Sequence, residues 1–272
     1  MQALNMGEVL RCAARKVIPR PIYTIGVDTL NGVSCLVKVG YKNTVLLRNA
    51  ERGTYGAQEV RFELPQLQHP FYVRPGTTDA SGIVQNIVRE EWGAFLPPEP
   101  VRFIVDAGAN CGDTTAWYLS KFPQATVIAL EPDPANYAML RKNCQPYGSR
   151  AVLLNAALWS SEAKLTVRSA MTAVAVSVDE AEDDAEGGCE GISMPQILRL
   201  MNTRTIDILK IDIEGAELQL FSNHPEEWLP GVRCLSVETH GPKELEAVYS
   251  AIRPYGYINK TYRNTHIFIH PE

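Results

Sequence analysis

The sequence predicts an α/β protein: a Rossmann-like, doubly wound sheet with an antiparallel last strand, preceded by a small β-rich N-terminal region. Three observations carry this. Val101 to Val105 is a short apolar run broken abruptly by Asp106, Ala107 and Gly108, as a strand buried on both faces would be where it runs into a tight loop. Ala125 to Leu130 repeats the pattern and ends in Glu131, and Ile206 to Ile211 repeats it again and ends in Asp212. Helical spacing follows the first of these runs, at Thr114 to Phe122, and strands alternating with helices read as a parallel sheet.

Composition sets limits before any motif is used. At 272 residues, 45% hydrophobic and 21% charged, the chain reads as an ordinary globular protein long enough for a sizeable core. A net charge of −5 and a pI near 5.6 give no footprint for a polyanion, which sets nucleic acid aside as a partner. No apolar run reaches the length needed to cross a bilayer, so no membrane partner is expected. The six cysteines are scattered, with no CxxC pair and no zinc spacing, and read as reduced thiols of a cytoplasmic protein.

Residues 1 to 20 lack the uninterrupted apolar core of a secretory signal and read as an amphipathic helix, packed on the domain or closing over a site. From Pro21 to Leu64, short β-rich runs are separated by turn residues. Asn31-Gly32 between apolar residues is a hairpin signal, so a small antiparallel β layer is expected. Tyr72 to Asp79 leads into a helix over Ala80 to Trp92, for which Asp79 reads as the N-cap. Pro97, Pro98 and Pro100 mark a junction that divides residues 1–100 from a nucleotide-binding domain at 101–272.

The corner after Val105 carries the chemistry. Gly108 and Gly112 permit positive φ and let a ligand lie on the backbone. Glu131, 25 positions after Asp106, is placed to accept hydrogen bonds from a ribose. The loop reads Gly108-x-x-x-Gly112 rather than Gly-x-Gly-x-x-Gly, and it follows an acid, which shifts the expectation from NAD to S-adenosylmethionine. Cys111 within it reads as a small packing residue under the cofactor.

Asp133-Pro134 opens the next helix, and Val152 to Asn155 forms the third strand. Residues 179 to 190 hold seven acids in twelve positions, without the ligand order of an EF-hand, and read as a solvated loop. Asp212 and Glu214 follow the fourth strand, where carboxylates would stabilise a sulfonium and an ammonium. Part of this is explained by acids at a helix start, which covers Glu217 but not Asp212. The fifth strand, Cys234 to Val237, ends in Glu238-Thr239-His240, making His240 the best base candidate among the histidines. A helix over Leu245 to Ile252 and a β pair at Tyr255 to Lys260 and His266 to His270 complete the chain. The acids and His240 converge as metal ligands can, but their spacing does not require a metal.

VDAGANCGDTT (105 to 115), ALEPDPANYAMLRKN (129 to 143), LNAALW (154 to 159), DILKIDIEGAE (207 to 217) and VETH (237 to 240), with YVRPGTTD (72 to 79) upstream, resemble the FkbM-type S-adenosylmethionine-dependent methyltransferases. The first motif indicates a class I methyltransferase; the ordered set, KIDIEGAE above all, is more specific. The cofactor set expected on this basis is Asp106, Gly108, Ala109, Asn110, Gly112, Asp113, Thr114, Glu131, Pro132, Asp133, Asn155, Ala156 and Asp212. The resemblance places Asn155 and Ala156 at the adenine, where Trp159 either stacks near the ring or packs in the core. It also sets Thr78 and Asp79 at the border of the cofactor or acceptor pocket, and Glu214 is expected on the acceptor side. Asp212, Glu238 and His240 are the expected catalytic residues. The implied reaction is O-methylation of a small-molecule hydroxyl, on a sugar or secondary metabolite. An NAD-dependent oxidoreductase would share the first unit, but a second glycine fingerprint and a Tyr-x-x-x-Lys pair are absent. A non-catalytic nucleoside-binding module would have no need of Asp212 or His240.

Overall fold

The structure, a computed structural model, describes residues 20–56, 58–169, 176–180 and 188–271; the helix expected within residues 1 to 20 lies outside them, apart from Arg20. Its centre is a seven-stranded sheet of β3 (Phe103–Ala107), β4 (Thr126–Leu130), β5 (Ala151–Leu154), β10 (Ile208–Ile211), β11 (Cys234–Glu238), β12 (Ile258–Tyr262) and β13 (Thr265–Ile269). The strand order is β12-β13-β11-β10-β3-β4-β5. β3 pairs parallel with both β4 and β10, and β13 lies antiparallel between β11 and β12. This is the class I methyltransferase, Rossmann-like arrangement. The chain winds outward from β3 to β5, then returns to the other side of β3 with β10, leaving a switch point between them where ligands bind beyond the strand ends.

Alternation along the strands splits the core across the two faces. Ile104, Val127, Ala129 and Ile208 belong to one buried cluster, while Val105, Ala107, Ile128, Leu130, Leu209 and Ile211 belong to the other. The helices α3 (Asp113–Lys121), α4 (Pro134–Cys144), α6 (Glu217–Ser222) and α7 (Pro242–Ile252) follow the strands. Asp133 caps α4, accepting from the backbone N–H groups of Ala135 and Asn136 at 2.9 and 2.8 Å.

The N-terminal region corrects the expected β layer. Residues read as hairpin strands form α1 (Arg20–Glu51), broken at Gly40. Among the described residues of this region, only β1 (Val60–Phe62) and β2 (Phe71–Val73) pair, antiparallel, in a two-stranded sheet. Among the described side chains of α1, from residue 32 on, the buried positions are Cys35, Val39, Asn43, Thr44, Leu47 and Ala50, which fall on one helical face. That helical period outweighs the β-branched composition that suggested strands. Residues on both sides of the proline junction share one core, in which Phe62, Phe71 and Ile83 lie with Ile104, Trp117 and Leu140.

The helix expected over Ala80 to Trp92 is present as α2 (Asp79–Gly82), a π-helical stretch over Ile83–Val88 and a 3-10 turn at Glu91–Gly93. Its N-cap is Thr78, not Asp79. Asp79 instead accepts from Arg74, through its backbone N–H and Nε at 2.9 Å and Nη2 at 2.8 Å, so its carboxylate is spent on fixing the preceding turn.

A second sheet, β6 (Ala156–Leu158), β7 (Ala163–Ser169), β8 (Val176–Glu180) and β9 (Gly188–Ile192), has the order β6-β9-β7-β8 and is followed by α5 (Met194–Leu200). The acidic run at 179–190 is therefore not one loop. Its ends belong to β8 and β9, and residues 181–187 lie outside the described residues.

Candidate active site

The glycine loop is locked from below. Gly108 and Ala109 both donate to the Leu130 carbonyl at the end of β4, at 3.0 and 2.9 Å. A side chain at Gly108 would place its Cβ 1.8 Å from the Asp212 carbonyl oxygen, so loop and β10 touch backbone to backbone. Gly108 and Gly112 take φ of 76° and 88°. Asn110 takes φ of 48° and donates its N–H to Glu131 Oε2 at 2.8 Å.

Glu131 is the hinge of this corner. Its other oxygen accepts from the Asp133 N–H at 3.0 Å, and the Glu131 carbonyl accepts from Asn155 Nδ2 at 2.8 Å. Burial pushes its carboxyl up to about 7, against the pull of the N–H groups of Asp133 and Asn110. Asn155 also donates to the Pro132 carbonyl at 3.1 Å, and Asn155 and Ala156 line an open cavity of about 410 Å³ with Tyr137, Ile192 and Gln196. Trp159 takes the core reading and is buried with Leu158 and Leu165.

Asp106 is placed differently from its expected role at the ligand. Its carboxylate is fully buried, accepts from Thr115 Oγ1 at 2.6 Å and pairs with Lys210 Nζ at 3.2 Å. It reaches the loop only through Lys210, which donates to the carbonyls of Ala107 and Gly108 at 3.2 and 2.6 Å and lies over the Trp92 ring. Burial pulls the lysine's pKa down, but Asp106 and Asp212 together more than reverse this and hold it above its usual value. Asp113 is buried against Gly82 of α2 and accepts from Asn86 of the π-helical stretch and from the Thr114 N–H; burial raises its carboxyl to about 6. Thr114 is buried beside it, and Cys111 is a buried thiol that desolvation pushes well up, as suits packing and not nucleophilic attack.

The acids beyond β10 and β11 converge. His240 places Nδ1 2.9 Å from Glu217 Oε1, with Nε2 3.2 Å from Glu214 Oε2 and 3.7 Å from Asp212 Oδ1. Its side chain is 25% exposed, and that of Glu217 is fully buried. The Glu217 hydrogen bond, with the charges of Glu217, Glu214 and Asp212, raises the imidazole to about 9 against the opposing effect of burial. At neutral pH the ring carries a proton and acts as a donor, in contrast to the free base expected of it. Glu238 is held above the ordinary carboxylate range by burial and then by the charge of Asp212, which makes it the better proton acceptor. Thr78, half-buried, and Asp79 lie on the α2 side, away from this group of contacts.

Lys210 and Glu217 hold the site's geometry; pattern reading left Lys210 unremarked and gave Glu217 to the start of a helix, although both stand in the KIDIEGAE stretch. A charge inside a buried strand was the available signal for Lys210.

The loop fits an adenosyl group with an amino-acid tail. Asn110 Oδ1 is buried beside it without a partner, the glycines leave bare backbone at the switch point, and Glu131 stands at the tip of the neighbouring strand.

The chain is similar to known methyltransferases. Residues 106–258 match the Methyltransferase FkbM domain. Methyltransferase sdnD of Sordaria araneosa is 31% identical over 193 residues, 58% of this chain and 73% of that protein. Methyltransferase 1 of Beauveria bassiana is 26% identical over 46% of this chain and 59% of its own length. The AMB antimetabolite synthetase AmbE of Pseudomonas aeruginosa is 23% identical over 61% of this chain, which corresponds to 10% of that protein. Among solved structures, a precorrin-6y C5,15-methyltransferase from Geobacter metallireducens aligns over 67% of this chain and 86% of its own with 14% identity and a TM-score of 0.41. Since the family match runs over more than half of its length, from the glycine loop to the start of β12, the chain belongs to the FkbM methyltransferase family.

Proposed function

We propose that this chain is a cytoplasmic S-adenosylmethionine-dependent O-methyltransferase whose acceptor is a hydroxyl of a small molecule, a sugar or a secondary metabolite. The observation that carries the reading is the direct backbone contact of Gly108 with Asp212, which sets the glycine loop beside the acids that follow β10 and β11. Methyltransferases of this family are similar to the chain across that whole edge. A relative named for antimetabolite synthesis agrees with a small-molecule product. Among the described residues, no helix is long and apolar enough to cross a membrane.

S-adenosylmethionine supplies an electrophilic methyl on a sulfonium. The chain's own residues do the rest. Glu131 would accept from the ribose, the Gly108 to Gly112 backbone would hold the amino-acid end, and Asp212 with the loop carbonyls would offer negative charge to the cationic centre. Such positioning is worth about 7–11 kcal/mol of a barrier. Glu238 would take the hydroxyl proton, and the edge formed by His240 and its acids would hold the acceptor's neighbouring oxygen.

The test is turnover, read as S-adenosylhomocysteine, on a panel of sugars, polyols and phenols with matched amine analogues. Hydroxyl acceptors are expected to give product, and Glu238→Gln is expected to lose about a hundredfold or more in turnover while still binding cofactor. Methylation of the amines alone, or wild-type turnover in Glu238→Gln, contradicts the reading.

A further inference from the structure

We propose that Asp212, Glu214 and His240 form a divalent-cation site at the acceptor edge, with Glu217 as the carboxylate that orients the imidazole. One donor atom from each of the three lies within 4.8 Å of the others. The distances from His240 Nε2, 3.2 Å to Glu214 Oε2 and 3.7 Å to Asp212 Oδ1, are close to the spacing of two donors sharing one ion. With bonds of about 2.1 Å, that spacing is roughly 3.0–3.4 Å at octahedral or tetrahedral angles.

The imidazole is turned the right way for this. Nε2 faces the two acids, while Nδ1 is held at 2.9 Å by Glu217 Oε1, the carboxylate–histidine arrangement that fixes a ligand's tautomer and orientation.

An independent observation is the state of Glu217 itself. Its side chain is fully buried, and Oε2 has no hydrogen-bond partner. A buried carboxylate with an orphaned oxygen is costly unless charge of the opposite sign lies nearby. Lys210 does not meet that need: its Nζ is 3.9 Å from Asp212 Oδ2 and already paired with Asp106 at 3.2 Å. In the ion-free chain protonated His240 gives that charge through Oε1; an ion that displaces the Nε2 proton and joins the two acids would carry it in its place.

Two oxygen donors and one imidazole suit manganese, iron, cobalt or zinc. Three protein ligands leave coordination positions open, as sites that meet a substrate do. The side chains of Asp212, Glu214 and His240 are 30%, 27% and 25% exposed, so the open side faces solvent. The role of the ion, to hold acceptor oxygens beside the glycine loop, rests on the O-methyltransferase reading; its binding does not.

The experiment uses the full chain, stripped with chelator and dialysed, and titrated with Mn²⁺ while the free-ion electron paramagnetic resonance signal is followed. About one ion per chain is expected. His240→Ala and Glu214→Gln should weaken binding at least tenfold, and the shape-preserving Glu217→Gln roughly tenfold to a hundredfold, with circular dichroism unchanged. Absence of Mn²⁺ binding at millimolar concentration with no thermal shift by Zn²⁺ or Co²⁺, or variants that bind as wild type does, overturns the site. S-adenosylmethionine affinity is measured by metal-free calorimetry on the same preparations. Ion binding that persists without cofactor binding supports the site and sinks the functional reading; cofactor binding without ion binding does the reverse.

Discussion

Lys210 stands third in β10, a four-residue strand whose every residue is buried and where an apolar side chain would pack without penalty. Taking an ammonium out of water costs several kcal/mol, offset here by Asp106 and two loop carbonyls. Lys210→Met should therefore destabilise the protein by about 3–5 kcal/mol in denaturant unfolding, because the Asp106 charge is left buried with only Thr115. Adding Asp106→Asn should recover much of that loss; no recovery would mean that the pair is not the cause. Asp106 was legible as important from its place after an apolar run, but its partner was not. Lys210 lies opposite it only once the parallel register of β10 on β3 is known. Glu131 makes a second prediction at this scale. With its carboxyl near 7, protonation below that pH removes the acceptor that ribose hydroxyls need. Cofactor affinity should fall up to about tenfold per pH unit as pH drops below about 7, and Glu131→Gln should bind weakly with a flat profile. A wild-type profile that is flat between about pH 6 and 8 would remove the ribose assignment.

At the scale of elements, the glycine loop is held by the N-terminal region as well as by the sheet. Asn143 on α4 accepts from the Tyr72 N–H at 2.8 Å and donates to the carbonyls of Tyr72 and Cys111 at 3.0 and 2.8 Å, joining β2 to the loop. Asn143→Ala leaves those groups without their partner and should cost about 2–4 kcal/mol of stability and weaken cofactor binding. Unchanged urea midpoint and affinity would show that β2 and the loop are independent. Neither Asn143 nor the packing of Asp113 against Gly82, where a Cβ would meet Asp113 Oδ2 at 2.1 Å, could be read from spacing, because both join segments far apart in sequence. α1 was hidden for another reason. Val27, Val33, Val37, Val39 and Val45 favour strands locally, and Asn31-Gly32 favours a turn, while the helix is fixed by burying one face against the core. Helical spacing from Cys35 to Ala50 was the overlooked signal.

Across the whole molecule, legibility followed depth in the sheet. β3, β4, β10 and β11 are apolar runs buried on both faces, each ending in or next to an acid, and the sequence places them to within a residue or two. The second sheet was missed because β8 and β9 hold the ends of an acidic run whose charge masked the alternation of Ala163, Leu165 and Val167 in β7. The acids at the switch point were legible as a group; the ring orientation that Glu217 imposes on His240 was not, since it depends on α6 packing beside the end of β11. The methyltransferase reading depends on an adenosyl cofactor lying between Gly108 and Glu131. Calorimetry of the whole chain with S-adenosylmethionine and NAD side by side tests that most directly. Binding of S-adenosylmethionine at one site in the micromolar range, lost in Glu131→Ala, with no heat from NAD, is the predicted result. Binding of NAD in its place, or S-adenosylmethionine affinity untouched by Glu131→Ala, would contradict the account.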